Sequence, residues 1–312
     1  MRPKDLQDFN RIRGLLIQHS ATERSLPGVP TSQHLNALVE QIVESRRRVR
    51  YLEMLTCRIH DPCCSDPTSI AFDPLKTAAG MHRHGDLEGA CWLVFLATHF
   101  GKTRRNGWMV VARVYGALGK GRLWSWERVM QSPHEFLTWF NANTEFIRPT
   151  TGAAFGNHRK YESLRADSNR GSGAVFESYI DLVQEHGGHQ GLIGQALADA
   201  DNSPQLAFER LFNHLSRVRS FGRTAKFDLL STLSKLRILP ILPGHPYLVG
   251  ATGPLRGARL LFFANASAAA SVSVLSEAVT RLGSSLDERM DVLEDALCNW
   301  QKSPSKFVPF RG

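Results

Sequence analysis

Four short segments of the sequence combine cationic side chains with glycine, histidine or aromatic residues. They cover residues 98–105, 155–163, 221–228 and 250–259. Arginine and lysine bind phosphate groups through charge-assisted hydrogen bonds, and cations beside a leaving group stabilise the charge that develops as it departs. We therefore predict an anion site to which these segments contribute. The candidate binding residues are Lys102, Asn157, Arg159, Lys160, Tyr161, Arg223, Lys226, Thr252, Arg256 and Arg259.

Each segment also has an interpretation that needs no ligand. Cations at the end of an apolar helix, as in 98–105, complement the helix dipole, and a charged run such as 155–163 is typical of a solvated helix start. Arg223 is expected at a helix start, where free backbone amides favour phosphate, but a capped surface helix has the same pattern. Arg256 and Arg259 share one face if their segment is helical, and the nearby glycines either admit a ligand or form a turn.

Other motifs that carry chemistry are incomplete in this sequence. The glycines at 116–121 lack the spacer, the Lys-Ser/Thr ending and the preceding strand of a P-loop. Cys57, His60, Cys63 and Cys64 are dense enough to suggest zinc, but adjacent cysteines in a proline-rich loop are poor tetrahedral ligands and no second ligand pair follows. We predict no metal and no cofactor, and we expect the cysteines to remain thiols.

Helices are expected to position these segments. An apolar stripe from Leu35 to Val43 predicts a helix whose last turns carry the arginines at 46–50. The repeated Asp-Pro pairs of 57–74 predict a loop. Asp86 is expected to cap an apolar helix that ends at Gly101 and forms the buried centre of the fold.

Further helix signals follow along the chain. Ser132, Pro133 and Glu135 predict a capping box with proline in the first turn. Other helices are expected at 108–118, from Ser203, at 224–236 and, as the last one, from Ser285 with Glu288 at its third position. Strand signals are restricted to 238–249 and 260–263. The fold class is therefore all-α, with few or no short strands.

The composition is that of a globular protein with an excess of positive charge. The 312 residues are 42% hydrophobic and 21% charged, and the formal net charge is +9. The basic balance favours a polyanionic partner such as nucleic acid. With no apolar run of about 20 residues and no signal-peptide pattern at the N-terminus, we expect no membrane association and a cytoplasmic location.

Three motifs together resemble the third clade of the α-glutamyl/putrescinyl thymine pyrophosphorylase family. They are Phe-Gly-Asn-His-Arg-Lys-Tyr-Glu-Ser-Leu at 155–164, Phe-Gly-Arg-Thr-Ala-Lys-Phe-Asp at 221–228, and Gly-Ala-Thr-Gly-Pro-Leu-Arg-Gly-Ala-Arg-Leu-Leu at 250–261. Residues 92–102 and 115–119 fit the same pattern. The resemblance spans roughly 35–263, and the polar stretch 186–202 is not expected to be catalytic.

The resemblance implies an enzyme of DNA base hypermodification with a helical, DNA glycosylase-like fold. Its substrate would be DNA in which a thymine methyl group has been hydroxylated and then pyrophosphorylated. A small amine donor, an amino acid or putrescine, would displace the pyrophosphate. The host would be a bacterial or phage-infected cell. The implied domains are an N-terminal helical segment with the proline-rich loop (1–75), a catalytic core (76–265) and a C-terminal helical tail that packs on the core (266–312).

The candidate residues suit this chemistry. An attacking amine must be neutral, which calls for a general base, and His158, His99 and Asp228 are the candidates. The cationic residues would stabilise the departing pyrophosphate. In duplex DNA the base would have to be flipped into a pocket, where Tyr161 or Phe155 could stack on it.

Two other functions are compatible with the same sequence. A DNA glycosylase would excise a modified base, and the Leu-Pro-Gly turns at 26–28 and 242–244 resemble the start of a DNA-binding helical hairpin without its second glycine. Its Lys and Asp pair would have to be Lys226 and Asp228, which are close in sequence. The other alternative is a non-enzymatic DNA-binding or sensor module that kept the pocket.

Overall fold

Helices are the regular secondary structure of this protein where the structure describes it. A computed structural model describes residues 3–156, 162–165 and 168–309. The chain is 63% helical, and the described residues contain no strand or sheet, which confirms the all-α fold class. The α-helices of these residues are α1 Pro3–Thr22, α2 Ser32–Thr56, α3 Pro74–Arg83, α4 Leu87–Phe100, α5 Met109–Tyr115, α6 Trp126–Gln131, α7 Pro133–Ile147, α8 Ser172–Glu185, α9 His189–Ala198, α10 Pro204–His214, α11 Arg223–Lys235, α12 Gly253–Phe263, α13 Val272–Leu286 and α14 Met290–Trp300. Within these ranges no helix combines the length and hydropathy of a membrane span.

Packing divides the chain into two compact units. The terminal unit comprises the described residues of Met1–Tyr51 and Leu242–Arg311, and the central unit comprises Leu52–Ile241. Because α1 packs on α13, the two ends of the chain belong to one unit. The division into 1–75, 76–265 and 266–312 stays a prediction. Which segment carries catalysis stays a prediction.

The arginines at the end of α2 are neutralised within the terminal unit. Arg46 binds Glu288, and Arg50 binds Asp8. Arg48 binds Asp295 of α14. Because their charges are paired with carboxylates of α1, α14 and the turn before α14, these arginines are poorly placed to contribute to binding a polyanion.

The last helix begins later than the sequence predicts. Residues Val272–Leu286 form α13, and Asp287 ends it with a left-handed backbone (φ 51°) before α14 starts. Ser285 therefore lies inside α13. Glu288 lies in the turn, where Arg11 binds it at 2.7 Å, and does not cap a helix.

The first Leu-Pro-Gly turn is committed to packing. The Gly28 amide donates to the Leu261 carbonyl oxygen of α12 at 2.9 Å. A Cβ atom at Gly28 would collide with the backbone of Leu260. The amide that a DNA-binding hairpin would offer to a phosphate is therefore used within the terminal unit.

Helix α4 forms the centre of the central unit, as its sequence predicts. Every residue from Gly89 to Ala97 is buried, and α4 packs against α3, α5, α6, α9 and α11. Asp86 caps it by accepting from the Gly89 amide at 2.8 Å. Trp92 contacts the rings of Phe95, Trp126, Phe136, Phe176 and Tyr179. This aromatic packing fixes the position of the residues at the end of α4.

Two further expectations are corrected by the helix boundaries. Pro133 occupies the first turn of α7 as predicted, but the Ser132 side chain makes no capping hydrogen bond. Glu135 binds Arg128 at 2.8 Å, so the predicted capping box is absent from this helix. Residues 260–263 belong to α12, and 238–249 are irregular, so neither predicted strand forms.

Candidate functional site

The first two predicted segments meet at the end of α4. The Gly156 amide donates to the Phe100 carbonyl oxygen at 2.7 Å. Gly101 ends the helix with a positive φ of 71°, and a Cβ atom on it would lie 3.1 Å from the Gly156 Cα atom. Glycine at both positions lets the two backbones approach this closely.

Replacing Gly101 with alanine should therefore displace the 155–156 segment as well as strain the backbone. With φ 71° and ψ 160°, Gly101 lies in a backbone region that essentially only glycine adopts, which costs about 1–3 kcal/mol for a residue with a Cβ atom. Gly85→Ala is the matched control, since Gly85 has φ 86° but no atom within 4 Å of its Cβ position. We expect Gly101→Ala to lower the free energy of unfolding more than Gly85→Ala in chemical denaturation. Equal losses would contradict a role for the glycine contact.

His99 anchors the far side of the second segment. Its ring is 1% exposed, and Nε2 lies 2.8 Å from Ser172 Oγ. The Ser172 amide and hydroxyl both donate to the Ser163 carbonyl oxygen, at 2.8 and 3.1 Å. Phe155 contacts the imidazole edge-to-face, with ring centres 5.7 Å apart. One buried histidine thus touches one end of the 155–163 segment directly and its other end through Ser172.

Five predicted residues of this segment, Asn157, His158, Arg159, Lys160 and Tyr161, lie outside the described residues. On either side of them, Gly156 lies directly before the stretch and Ser163 lies after Glu162. The first is bonded to the end of α4, and the second to the partner of His99. The roles of these five residues stay predictions.

The third predicted segment also packs on α4. The centres of the Phe221 and Phe95 rings are 5.6 Å apart, and Phe95 lies one turn before His99 in α4. Helix α11 begins at Arg223 as expected. The Arg223 guanidinium lies over the Phe227 ring at 4.6 Å.

Lys226 and Asp228 follow in the first two turns of α11. Lys226 Nζ donates to Ser216 Oγ at 2.8 Å and lies 4.1 Å from the centre of the Phe212 ring. Burial lowers the pKa of this ammonium. Asp228 is half-buried.

The fourth predicted segment belongs to the terminal unit. Residues 253–263 are helical, so Arg256 and Arg259 do lie about one turn apart. Arg256 and Thr252 are exposed, and Arg259 is half-buried. The glycines of this segment have a packing role: a Cβ atom at Gly257 would collide with the backbone of α14.

A cleft of about 790 Å³ adjoins the end of α4 within the central unit. Its lining comes from the loop of residues 67–73 and from residues 102, 105–109, 112–113 and 118–119. Lys102 and Arg105 are exposed, and Lys102 Nζ lies 5.8 Å from the centre of the Trp108 ring. Trp108 Nε1 is buried and has no hydrogen-bond partner among the described residues. Exposed cations beside an aromatic ring are groups that bind nucleotides.

Sequence reasoning placed Lys102 at the site but missed Arg105 and Trp108. A tight turn, in which Thr103 and Gly107 exchange two backbone hydrogen bonds of 3.0 Å, carries these residues to the wall of the cleft. The available signal was a basic run, Lys102 to Arg105, followed closely by a tryptophan.

A second polar cluster was also missed and lies at the opposite end of α4. Glu88 accepts from His189 Nδ1 at 2.6 Å and from the amides of His189 and Gln190 at 2.9 Å. His189 is buried, and its Nε2 lies 2.8 Å from the Tyr179 hydroxyl. Burial would raise the pKa of the Glu88 carboxyl, but these hydrogen bonds hold it at about 2, while burial lowers the pKa of His189. The cluster ties α4 to the start of α9.

This cluster should make stability depend on pH. A carboxyl whose pKa is lowered on folding adds stability above its ordinary value of 4.5, and this stability is lost as pH falls toward about 2. We expect Glu88→Gln to reduce the free energy of unfolding at pH 7 by about 1 kcal/mol, a value discounted for partial solvent exposure. In urea denaturation the difference from wild type should shrink at pH 3. Glu185→Gln, which removes an exposed salt bridge with Arg217, should have a smaller effect at both pH values.

Within the described residues, no group of three or more His, Cys, Asp or Glu side chains could hold a metal ion. Cys57 and Cys63 are exposed, and Cys64 is buried. The Cys64 thiol lies 3.8 Å from Lys76 Nζ. These cysteines are loop thiols in the structure.

Fold and site define an all-helical protein with a cationic cleft beside the end of a buried helix. The family model of α-glutamyl/putrescinyl thymine pyrophosphorylase clade 3 matches residues 33–312. The chain therefore belongs to this family of thymine hypermodification enzymes. The match confirms the resemblance and extends it through α13 and α14. No curated protein and no solved structure gives a significant match.

Proposed function

We propose that the protein is a transferase that replaces pyrophosphate on the 5-hydroxymethyl group of uracil in DNA with an amine. The amine nitrogen attacks the methylene carbon, and the C–O bond to pyrophosphate breaks. A general base takes the proton that the nitrogen loses. An amino acid or putrescine is the proposed donor, and the products are a substituted thymine in DNA and inorganic pyrophosphate.

The observation that carries this proposal is the gathering of three predicted segments around the end of α4, next to a cationic cleft. The Gly156 amide bonds to Phe100, Phe221 packs on Phe95, and Lys102 lines the cleft. A departing pyrophosphate requires several cationic donors, whereas an uncharged base alone does not. This favours pyrophosphate displacement over base excision.

The residues are assigned roles from their chemistry and, for the described ones, from their exposure. Lys102, Arg159 and Lys160 would hold pyrophosphate or the DNA backbone, and Arg223, Arg256 and Arg259 are further candidates. His158 is the proposed base. We assign His99 a positioning role, because its buried ring holds Ser172 and through it the 155–163 segment.

Mass spectrometry of nucleosides tests the proposal. DNA bearing pyrophosphorylated 5-hydroxymethyl-uracil is incubated with the protein and with glutamate or putrescine. We expect a heavier thymidine derivative together with an equal amount of pyrophosphate. The same DNA without the pyrophosphate group is the control and should stay unchanged. A released base would indicate a glycosylase, and unchanged DNA would indicate a binding or sensor module.

A further inference from the structure

The loop of residues 66–72 exposes an isoleucine beside the cleft. The Ile70 side chain is fully exposed, and the residue lines the cleft together with Lys102 and Arg105. Single exposed apolar side chains are common on protein surfaces. Ile70 differs from most of them because it lies on a wall of the candidate site.

Hydrogen bonds between residues 66 and 72 fix the backbone of this loop. Asp66 Oδ1 accepts from the Thr68 amide and hydroxyl at 2.8 and 2.7 Å. The Ser69 amide donates to the Asp66 carbonyl, and the Phe72 amide to the Ser69 carbonyl, at 3.0 and 3.1 Å. Phe72 is buried and stacks on Tyr115. These contacts order the backbone of the loop. The Ile70 side chain is exposed to solvent and packs against no other part of the protein that the structure describes.

Residues 102 and 105 of the cleft lining supply positive charge. Lys102 and Arg105 are exposed, and neither forms an ion pair within the described ranges. The acidic residue on the cleft wall, Asp73, accepts hydrogen bonds from the Leu75 and Lys76 amides at the start of α3. A strand of DNA along this cleft would meet both cations and the isoleucine.

We propose that Ile70 is an apolar wedge that enters the base stack of duplex DNA while Lys102 and Arg105 hold the backbone. Apolar side chains inserted between base pairs unstack them, which lowers the cost of extruding a neighbouring base. The inference rests on the proposed function, because a base must leave the duplex to be modified. The inference assigns Ile70 a role in opening the duplex, separate from the chemistry at the methylene carbon.

Fluorescence of 2-aminopurine tests the wedge. The probe is a 20-base-pair DNA duplex that contains 5-hydroxymethyl-uracil and an adjacent 2-aminopurine. The labelled strand without its complement is the single-stranded reference. Wild-type protein should raise the duplex fluorescence. Ile70→Ala should largely abolish this rise and weaken duplex affinity about tenfold, while single-strand affinity stays within about twofold. Ile59→Ala is the matched control, since Ile59 is almost fully exposed but does not line the cleft.

The outcomes separate the wedge from the proposed reaction. Wild-type fluorescence and duplex affinity in Ile70→Ala overturn the wedge, and so does an equal effect of Ile59→Ala. Equal loss of duplex and single-strand binding also overturns it, because a wedge acts on stacked pairs alone. If wild-type protein unstacks the duplex but yields no heavier thymidine, the wedge stands and the transferase proposal fails. Both variants replace exposed side chains, so thermal denaturation should match wild type.

Discussion

Replacing Arg256 with alanine is expected to lower turnover on pyrophosphorylated DNA about 100-fold or more. Loss of one donor that stabilises developing negative charge costs about 3 kcal/mol in the transition state. Arg256 is exposed on α12, so its removal leaves the core of the terminal unit intact. Arg159→Ala tests the cation of the 155–163 motif in the same assay and is expected to give a similar loss. The measurement is steady-state release of pyrophosphate.

The division between kcat and KM distinguishes a transition-state contact from general attraction to DNA. A donor to the departing pyrophosphate lowers kcat, whereas a cation that only attracts the substrate raises KM. Arg281→Ala is the matched control, because Arg281 is an exposed arginine on α13 of the same unit and pairs with Glu277. Near-normal kcat in both Arg256→Ala and Arg159→Ala would place the anion site elsewhere.

Local sequence signals were sufficient for the elements that have strong periodicity or strong caps. Helix α4 was predictable because Asp86 provides a cap, Gly101 an end, and the residues between them are apolar. Helices α1 and α9 were not singled out, since the polar residues of α1 and the stretch 186–202 obscure their periodicity. The last helix begins at Met290 and not at Ser285, because a contact between remote residues overrides the local pattern. Ser285 and Glu288 have capping spacing, but Glu288 binds Arg11, a residue remote in sequence.

Local sequence patterns predicted only part of the candidate site. The motifs identified the segments, but the contacts that assemble them join residues far apart in the chain. The Glu88 and His189 pair spans 101 positions, and no local pattern connects the two. Trp108 and Ile70 line one cleft although 38 positions separate them, and only the folded chain brings them together. The arginines at 46–50 look like a basic surface in the sequence. In the structure, Arg46, Arg48 and Arg50 form ion pairs with carboxylates that are remote in the sequence.

The roles of the two histidines can be separated by one pair of substitutions. His158→Gln keeps the approximate size of the side chain and removes its basic nitrogen. If His158 is the base, kcat should fall strongly and the acid limb of the pH profile should flatten, while DNA affinity and thermal stability stay close to wild type.

His99→Gln should give the opposite combination. Its ring is buried among Phe95, Phe155 and Phe176 and holds Ser172, so substitution should lower the melting temperature because it leaves buried polar groups poorly paired. A positioning role predicts lower activity with the acid limb of the pH profile preserved, because the base itself is untouched. The measurements are kcat between pH 5 and 9 and thermal denaturation of both variants. A wild-type pH profile in His158→Gln would exclude His158 as the base and transfer the assignment to Asp228, which is half-buried on α11.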